Sequence, residues 1–516
     1  SAIGHSPLVQ IGFNKDVTWT HTVSTGKRFT LHELSLVPGK PTHYVIDGEE
    51  LEMQPRTVSF AVKAADGSIG ERSHTVWETR YGPVIVVPQA GLGWSGEHAY
   101  ALQDANTLNL RAMEIWVGLN KARNVGEMRT VLGQLGVPWV NTMAADRNGD
   151  VMYADVSVVP DVPNLADCTP SPQAEALFKG AGLVVLDGSR SACNWNQDAK
   201  SPVPGLLPIE RMPVAIRSDW VQNSNDSYWM SNPAINWNDY SPLIGPTDNE
   251  QTLRTRSGLK TVQERLAGED GIADDGQIGV AEISAMLFAN RNEAAELVLD
   301  DLLAACKEST NASIQEGCVV LGNWDRHNNL DSRGEHLFRE WWRAASQLKN
   351  LWRIPFDAAR PVETPAGLNV ADAALREQLL ATLEDAVVTV KDAGFAVDAP
   401  LVDVQYYGEG GKRVGLHGGP QFEGVLNKVE SLGTETLPEG GYRINFGSSY
   451  IQIVTFDDNG PVAEAIMTYG QSAEAGSSYD FDQLSLFAEK TFMSLPFHAE
   501  DIASQRVGDI TTLVVD

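Results

Sequence analysis

A layered α+β fold is the class that this 516-residue sequence predicts, and three observations carry it. Strand-like alternation dominates the first third, helical periodicity dominates the middle, and alternation returns near the end. No internal repeat or low-complexity tract interrupts that order. Sheet, helices and sheet again make layers that can share a core.

The elements follow in chain order. Residues 1–160 read mainly as sheet: Val58, Phe60 and Val62 alternate with polar positions, Ala65-Asp66-Gly67 supplies turn chemistry, and His74 to Trp77 resumes an extended pattern. An antiparallel hairpin is expected there. A second is expected at Arg147-Asn148-Gly149-Asp150, between Met143-Ala144-Ala145 and Val151-Met152-Tyr153, because Asn-Gly favours a two-residue hairpin turn. Residues 161–215 are rich in Pro, Ser and Gly and read as a long surface excursion. Residues 216–400 are mainly helical. Apolar residues fall at helical spacing over 278–306 and 371–393, as in Leu375, Leu379, Leu383 and Val387, with Gly394 placed as a stop. Residues 401–516 return to sheet and a C-terminal segment, with Tyr442, Ile444 and Phe446 alternating before Tyr450 to Phe456. The whole of 1–516 is expected to form one large domain.

Composition narrows the function. A formal net charge of -29 argues against nucleic-acid binding, which needs clustered Lys and Arg, and disfavours anionic membrane surfaces. No apolar run approaches the ~20 residues of a membrane helix. No charged-then-apolar leader opens the chain. Four cysteines, Cys168, Cys193, Cys306 and Cys318, permit three connectivities, beside the alternative of four reduced, buried thiols. None is spaced like a metal knuckle, so no metal is expected. There is no Gly-x-Ser-x-Gly elbow, no His-Glu-x-x-His, and no phosphate loop, since Gly408 to Lys412 lacks the spacing. No cofactor is implied.

Two short segments say more: Trp19-Thr20-His21-Thr22-Val23 and Val221-Gln222-Asn223-Ser224-Asn225-Asp226-Ser227. With Ile11-Gly12-Phe13-Asn14, Tyr81-Gly82-Pro83, Pro138-Trp139-Val140-Asn141-Thr142, Asn323-Trp324-Asp325-Arg326, His417-Gly418-Gly419 and Ser449-Tyr450-Ile451-Gln452, they resemble the beta chain of penicillin-acylase-type N-terminal-nucleophile hydrolases. The nearest branches are the acyl-homoserine lactone acylases and the aculeacin-type lipopeptide acylases. The resemblance covers nearly the whole chain in family order. It implies a four-layer αββα sandwich with helical and loop insertions, and an alpha chain from the same precursor as heterodimer partner after autoproteolytic processing. A released beta chain would carry no signal peptide of its own.

The same resemblance implies the chemistry. The Val23 backbone N–H and the Asn225 side-chain amide match the family's oxyanion donors, each worth about 3 kcal/mol of barrier in a water-poor site. Arg254, with Arg256 one slip away, matches the guanidinium held near the nucleophile's amine, whose basic form a positive charge would favour. Trp116 and Trp139 match walls of an acyl-chain pocket, and core packing is their bland alternative. Ser1 would be an N-terminal nucleophile whose own α-amine, with an unperturbed pKa near 7.7, serves as base. The family's Ser-Asn start and its Asn-Pro-His do not occur here. Ser1-Ala2-Ile3-Gly4 matches an internal block better, so Ser1 as an interior residue stands beside that reading. His21 reads as a locally bonded strand residue, and Asn225 also fits a turn by composition. Short-loop closure and the resemblance both favour Cys168 with Cys193 and Cys306 with Cys318, as disulfides in a periplasmic or secreted protein.

The function this implies is hydrolysis of the fatty-acyl amide of acyl-homoserine lactones, a quorum-quenching activity on a small acylated substrate. Cyclic lipopeptides and beta-lactams are alternatives within the class. A non-catalytic apolar-ligand-binding relative is the alternative outside it.

Overall fold

Short polar turns let the first strands follow one another closely. The structure, a computed structural model, describes residues 8–107, 109–408, 412–472, 474, 476–512 and 514. Its strands run β1 (Gly12–Phe13), β2 (Val17–Val23), β3 (Phe29–Val37), β4 (Lys40–Ile46), β5 (Glu49–Glu52), β6 (Gln54–Lys63), β7 (Ile69–Glu78), β8 (Val84–Ile85) and β9 (His98–Asp104). Helices α1 (Arg111–Lys121) and α2 (Val125–Leu132) precede β10 (Val140–Asp146) and β11 (Val151–Ala154). Then come α3 (Leu165–Cys168), α4 (Pro172–Ala181), β12 (Val185–Asp187) and β13 (Val214–Arg217).

These strands make two main sheets. One has the order β1-β2-β10-β11-β13; the other runs β5-β4-β3-β9-β8, with β12 parallel to β3. The expected Asn-Gly hairpin joins β10 to β11, with Gly149 at φ 94, a left-handed value that glycine adopts freely. β6 and β7 form the other hairpin, pairing Val58 with His74 and Phe60 with Arg72. Its alternation buries little: Phe60 stays 51% exposed, and only the base of the hairpin, at Trp77, packs against a core.

Helices α1 and α2 lay Ile115, Leu119 and Met128 on the first sheet against Trp19 and Met152, all at most 2% exposed. Burial of such side chains contributes about 1.5–3 kcal/mol each. This core also takes in Leu186 of β12 and Leu207, so residues 161–215 are not simply a surface excursion. β12 is three residues long, too short for periodicity to separate it from the Pro- and Gly-rich loops around it. Cys168 is bonded to Cys193 within this segment, and Cys306 to Cys318 further on.

The central part contains α5 (Leu253–Ala267), α6 (Val280–Phe288), α7 (Glu293–Cys306), α8 (Ala312–Asn323), α9 (Glu335–Ala345), β14 (Trp352–Ile354), β15 (Ala366–Leu368) and α10 (Ala373–Asp392). In α10, Leu375, Leu379, Leu383 and Val387 are buried at i, i+4 spacing, and Gly394 at φ 85 closes the end. The helical stretch expected over 278–306 is two helices. Asn290 turns left-handed at φ 54, and the Asn292 side chain accepts from Ala295 N to start α7.

The C-terminal part holds α11 (Leu401–Val404), β16 (Gln405–Tyr407), β17 (Val414–Gly415), β18 (Val429–Glu430), β19 (Tyr442–Arg443), β20 (Phe446–Gly447), β21 (Ile451–Phe456), β22 (Pro461–Ile466), α12 (Asp482–Ala488) and β23 (Met493–Leu495). The alternation at Tyr442, Ile444 and Phe446 is not one strand: β19 pairs with β16, and β20 with β18. Asn445 makes the break. Its side chain takes both the N–H and the C=O of Leu432, at 2.7 and 3.0 Å, in place of strand pairing.

Candidate active site

The site grows from the end of β2. Val23 lies opposite Val140 in β10, and Ser24 N donates to Trp139 O at 3.0 Å. Antiparallel residues alternate between bonded and non-bonded pairs, so with Ser24 bonded to β10 the N–H and C=O of Val23 point away from it. They face the outer edge of β2, which β1 covers only at Thr18 and Trp19. Val23 is 52% exposed there. Asn225 reaches the same edge and places Nδ2 3.4 Å from Val23 O.

Asn225 has φ 74, a left-handed value that Asn tolerates better than most residues and that costs energy unless neighbours enforce it. Asn223 is the enforcer. Its Oδ1 accepts from Asn225 N at 2.8 Å, from Thr22 Oγ at 2.6 Å and from Asn141 Nδ2 at 3.3 Å, while its Nδ2 donates to Asp226 O at 2.9 Å. Tyr153 OH in turn donates to Asn141 Oδ1 at 2.9 Å. The loop is thereby riveted to three strands of the sheet. Asp226 fixes its other side by accepting from Thr252 N and Oγ, at 2.9 and 2.8 Å, at the start of α5. A carboxylate there also meets the positive end of the helix dipole.

From the first turn of α5, Arg254 Nη2 donates to Asn225 Oδ1 at 2.5 Å and to Ser224 O at 2.8 Å. Engaging the amide oxygen leaves Nδ2 turned toward the end of β2 and polarises it as a donor. Burial lowers the Arg254 pKa, with Asp226 and Glu430 opposing that shift. Arg256 points elsewhere, to Pro365 O at 2.5 Å and toward Glu293 at 3.5 Å. Val23, Asn225 and Arg254 thus meet in space, and Arg256 does not join them.

The tryptophans flank β2. Trp116 in α1 is buried, meets the His21 ring edge-on at 5.8 Å, and has an Nε1 without a partner. His21 is bonded locally, its Nδ1 3.2 Å from Asn141 O and from Thr142 Oγ, and burial pushes its pKa down to about 4. Trp139 is 47% exposed, under the guanidinium of Arg28 at 5.0 Å. A separate apolar cavity of about 420 Å³ opens on the Thr18–Thr20 stretch, between Met143, Ile283 and Ile451. Ser1 lies outside the described residues.

Several participants escaped the sequence reading. Thr22 and Asn141 sat inside the resembling blocks without a stated role, and nothing marked Tyr153. Asp155 is fully buried just past β11; both carboxylate oxygens accept from Ser24 Oγ at 2.9 Å, and burial pushes its pKa up to about 7. No motif surrounds it. Among the described residues no group of three or more His, Cys, Asp and Glu side chains is placed to hold a metal.

Two sheets flanked by helices, with an outward backbone edge and a clamped amide at the end of one strand, define an α+β protein. The family model described as penicillin amidase matches residues 2–504, and the chain belongs to that family. It is 38% identical over 500 residues to the acyl-homoserine lactone acylase PvdQ of Pseudomonas putida, covering 96% of this chain and 62% of that protein. To the aculeacin-A acylase of Actinoplanes utahensis it is 36% identical over 517 residues, covering 98% of this chain and 63% of the relative. It therefore spans somewhat less than two thirds of the length of these curated relatives. Among solved structures, the thermostable penicillin G acylase from Alcaligenes faecalis superimposes with a TM-score of 0.62 at 16% identity, over 99% of this chain and 91% of that one. The chain thus shares the N-terminal-nucleophile hydrolase fold of that acylase.

Proposed function

We propose that this chain is the beta-chain part of an acylase that cleaves the fatty-acyl amide of acyl-homoserine lactones. The observation that carries the reading is the shared outer edge at the end of β2, where the Val23 peptide N–H points outward and the Asn225 amide lies against the Val23 carbonyl while Arg254 holds the amide's oxygen. Two preset donors suit the negative oxygen of a tetrahedral intermediate. In this reading a serine hydroxyl, deprotonated by its own chain's α-amine, attacks the amide carbonyl. The intermediate collapses, the homoserine lactone leaves with the transferred proton, and water then releases the fatty acid. Ser1 is the candidate nucleophile within this sequence.

Trp139 and Trp116 are the proposed acyl walls, and an alpha chain from the same precursor is the proposed partner. The two disulfides support a periplasmic or secreted setting. A lipopeptide substrate is the second reading, favoured by the similarity to aculeacin-A acylase. The test is release of homoserine lactone from an N-acyl homoserine lactone by the full-length protein, followed by chromatography. Turnover that falls about 10²- to 10³-fold in Asn225→Gly is the expected result. Glycine keeps the left-handed backbone and removes only the amide. No release from any acyl amide, with acyl amides still bound, would mark a ligand-binding relative instead.

A further inference from the structure

The strand end that carries Val23 is fastened by a buried acid that the proposed reaction does not use. Ser24, the next residue, is held at its backbone N–H by Trp139 O and at its side chain by Asp155, whose two carboxyl oxygens both lie 2.9 Å from Ser24 Oγ. The same hydroxyl accepts from Gly26 N at 2.8 Å. The peptide between Val23 and Ser24 is thus gripped from two sides, its carbonyl by Asn225 Nδ2 at 3.4 Å and its serine by Asp155. A shift of Ser24 moves Val23 against Asn225.

Room to yield is small. Asp155, Ser157 and Ser24 are all buried, and Asp155 N donates to Pro213 O at 3.0 Å, beside the start of β13. A Cβ at Gly26 would come within 3.0 Å of Ser24 Oγ, 3.3 Å of Val159 and 3.5 Å of Ser157 Oγ, so the turn after Ser24 packs against the same group.

A hydroxyl has one hydrogen to give, and here two acid oxygens stand at equal distance from it. A protonated carboxyl supplies the second hydrogen: one oxygen donates to the free lone pair of Ser24 Oγ while the other accepts from it. The surroundings favour that neutral form. Burial pushes the Asp155 pKa up to about 7, against the pull of Ser24, Ser157 and Arg28. Arg28 divides its charge between Asp104 and Asp155 and lies over Trp139. Tyr153 and Tyr228 are the other titratable groups that feel this acid, and burial keeps both phenols neutral near pH 7.

We propose that Asp155 is a positioning residue of the oxyanion site, which through Ser24 sets where the Val23 peptide stands against the Asn225 amide. This rests on the acylase reading above. With its proton, the acid holds Ser24 by the reciprocal pair. Without it, a buried negative charge stands behind the residue next to the Val23 donor and opposes the developing oxyanion.

The experiment uses the full-length protein and N-dodecanoyl homoserine lactone, with kcat and KM measured from about pH 5 to 9. Asp155→Ala should lower kcat by about tenfold or more with KM within about twofold, because the loss falls on the transition state. Asp155→Asn keeps the shape and a bond to Ser24, so it should recover most of that kcat at about pH 6. The ratio of wild-type to Asp155→Asn kcat should fall about threefold or more as pH rises through 7, since the nucleophile's amine titrates in both and cancels. Ser24→Ala is the milder second variant, and it decides alongside the pH ratio if Asp155→Ala does not fold. Its kcat should fall about as far as that of Asp155→Ala, and the double variant should fall no further, because the two act as one unit. Three results overturn the proposal: kcat within about twofold of wild type in Asp155→Ala or Ser24→Ala, losses that multiply in the double variant, or a ratio that does not change with pH. An absence of any product from the wild type defeats the acylase reading itself and is told apart because no rate then exists to compare.

Discussion

Two polar networks, one part-buried and one fully buried, differ in their side chains and in what they do. Around Asn225 the members are mostly neutral, Thr22, Asn141, Asn223 and Tyr153, with a single arginine at the rim. Around Arg339 of α9 they are ionic: the guanidinium donates to Glu335, to Glu423 at 2.8 Å and to Gln405 at 2.9 Å, and Asn328 donates to both carboxylates. Glu335 and Glu423 are fully buried there, and burial raises the Glu335 pKa well above the usual carboxylate range against the pull of Arg339. The first network ends in an exposed strand edge and a left-handed Asn. The second joins α9 to β16 and to the Pro420–Gly424 turn. A strongly shifted pKa marks the ionic network, yet the proposed oxyanion donors lie in the neutral one. Shifted acids flag function only where they bear on a site that a substrate can reach.

The comparison is sharpest where one network is broken and the other spared. Arg339→Met leaves two buried carboxylates without their cation, so stability should fall by about 3–5 kcal/mol. Asn225→Gly removes only the half-buried amide's bonds to Arg254 and Val23 and should cost no more than about 1–2 kcal/mol. Urea unfolding of both variants is the check. An Arg339→Met protein as stable as wild type would mean that the ionic network is dispensable to the fold, and the contrast would collapse.

Within the neutral network, Asn223 and Asn225 should part company. Asn223→Ala removes the acceptor shared by Asn225 N and Thr22 Oγ and leaves buried donors unpaired, at a cost of about 1–3 kcal/mol. Turnover should fall with it as the loop loosens. If Asn223→Ala abolishes turnover with the melting temperature unchanged, Asn223 and not Asn225 is the oxyanion donor.

How much of this was legible in the sequence depends on range. The α10 face repeats every three or four residues and was readable locally. The break between α6 and α7 was not, although Asn290-Arg291-Asn292-Glu293 is a polar run, because a short polar stretch also fits the outer face of one helix and only the left-handed Asn290 backbone makes it a turn. Val23, Asn225 and Arg254 came from resemblance, which carries positions but not contacts. The Thr22–Asn223 bond spans 201 residues, and only folding brings its ends together. The resemblance allowed Arg254 or Arg256. Geometry distinguishes them, since neighbours two apart on a helix point to different sides.

Asp155 offers a smaller effect with a definite sign. Burial holds its pKa near 7, above the ordinary 3.8, so the folded protein keeps a proton between those values that the unfolded chain has released. Stability from this group is therefore lost as pH rises through that window and levels off above it. Asp155→Asn should lack this slope, which amounts to about 2 kcal/mol between pH 5 and 7. The difference between wild type and variant is the quantity to measure, because His21 titrates the other way in both and cancels. Parallel pH curves would show that Asp155 is ionised throughout, and that Ser24 meets a charged partner beside Val23.

Trp139 should give the smallest and most selective effect. Half-exposed beside the end of β2 and braced by Arg28, it contributes little to the core, so Trp139→Ala should barely shift the melting temperature. If an acyl tail lies along its ring, truncation removes apolar contact in proportion to tail length, at up to about 0.8 kcal/mol per methylene. A four-carbon difference between substrates is then measurable even if neighbours replace most of the contact. The kcat/KM for long-chain lactones should fall well below that for short ones, or the preference should invert as the pocket opens. Trp116→Ala, by contrast, empties a buried position against His21 and should lower stability first. Equal losses at every chain length in Trp139→Ala would remove the ring from the acyl path and transfer that role to the cavity between Met143, Ile283 and Ile451, whose own truncation, Ile283→Ala, should then carry the length dependence.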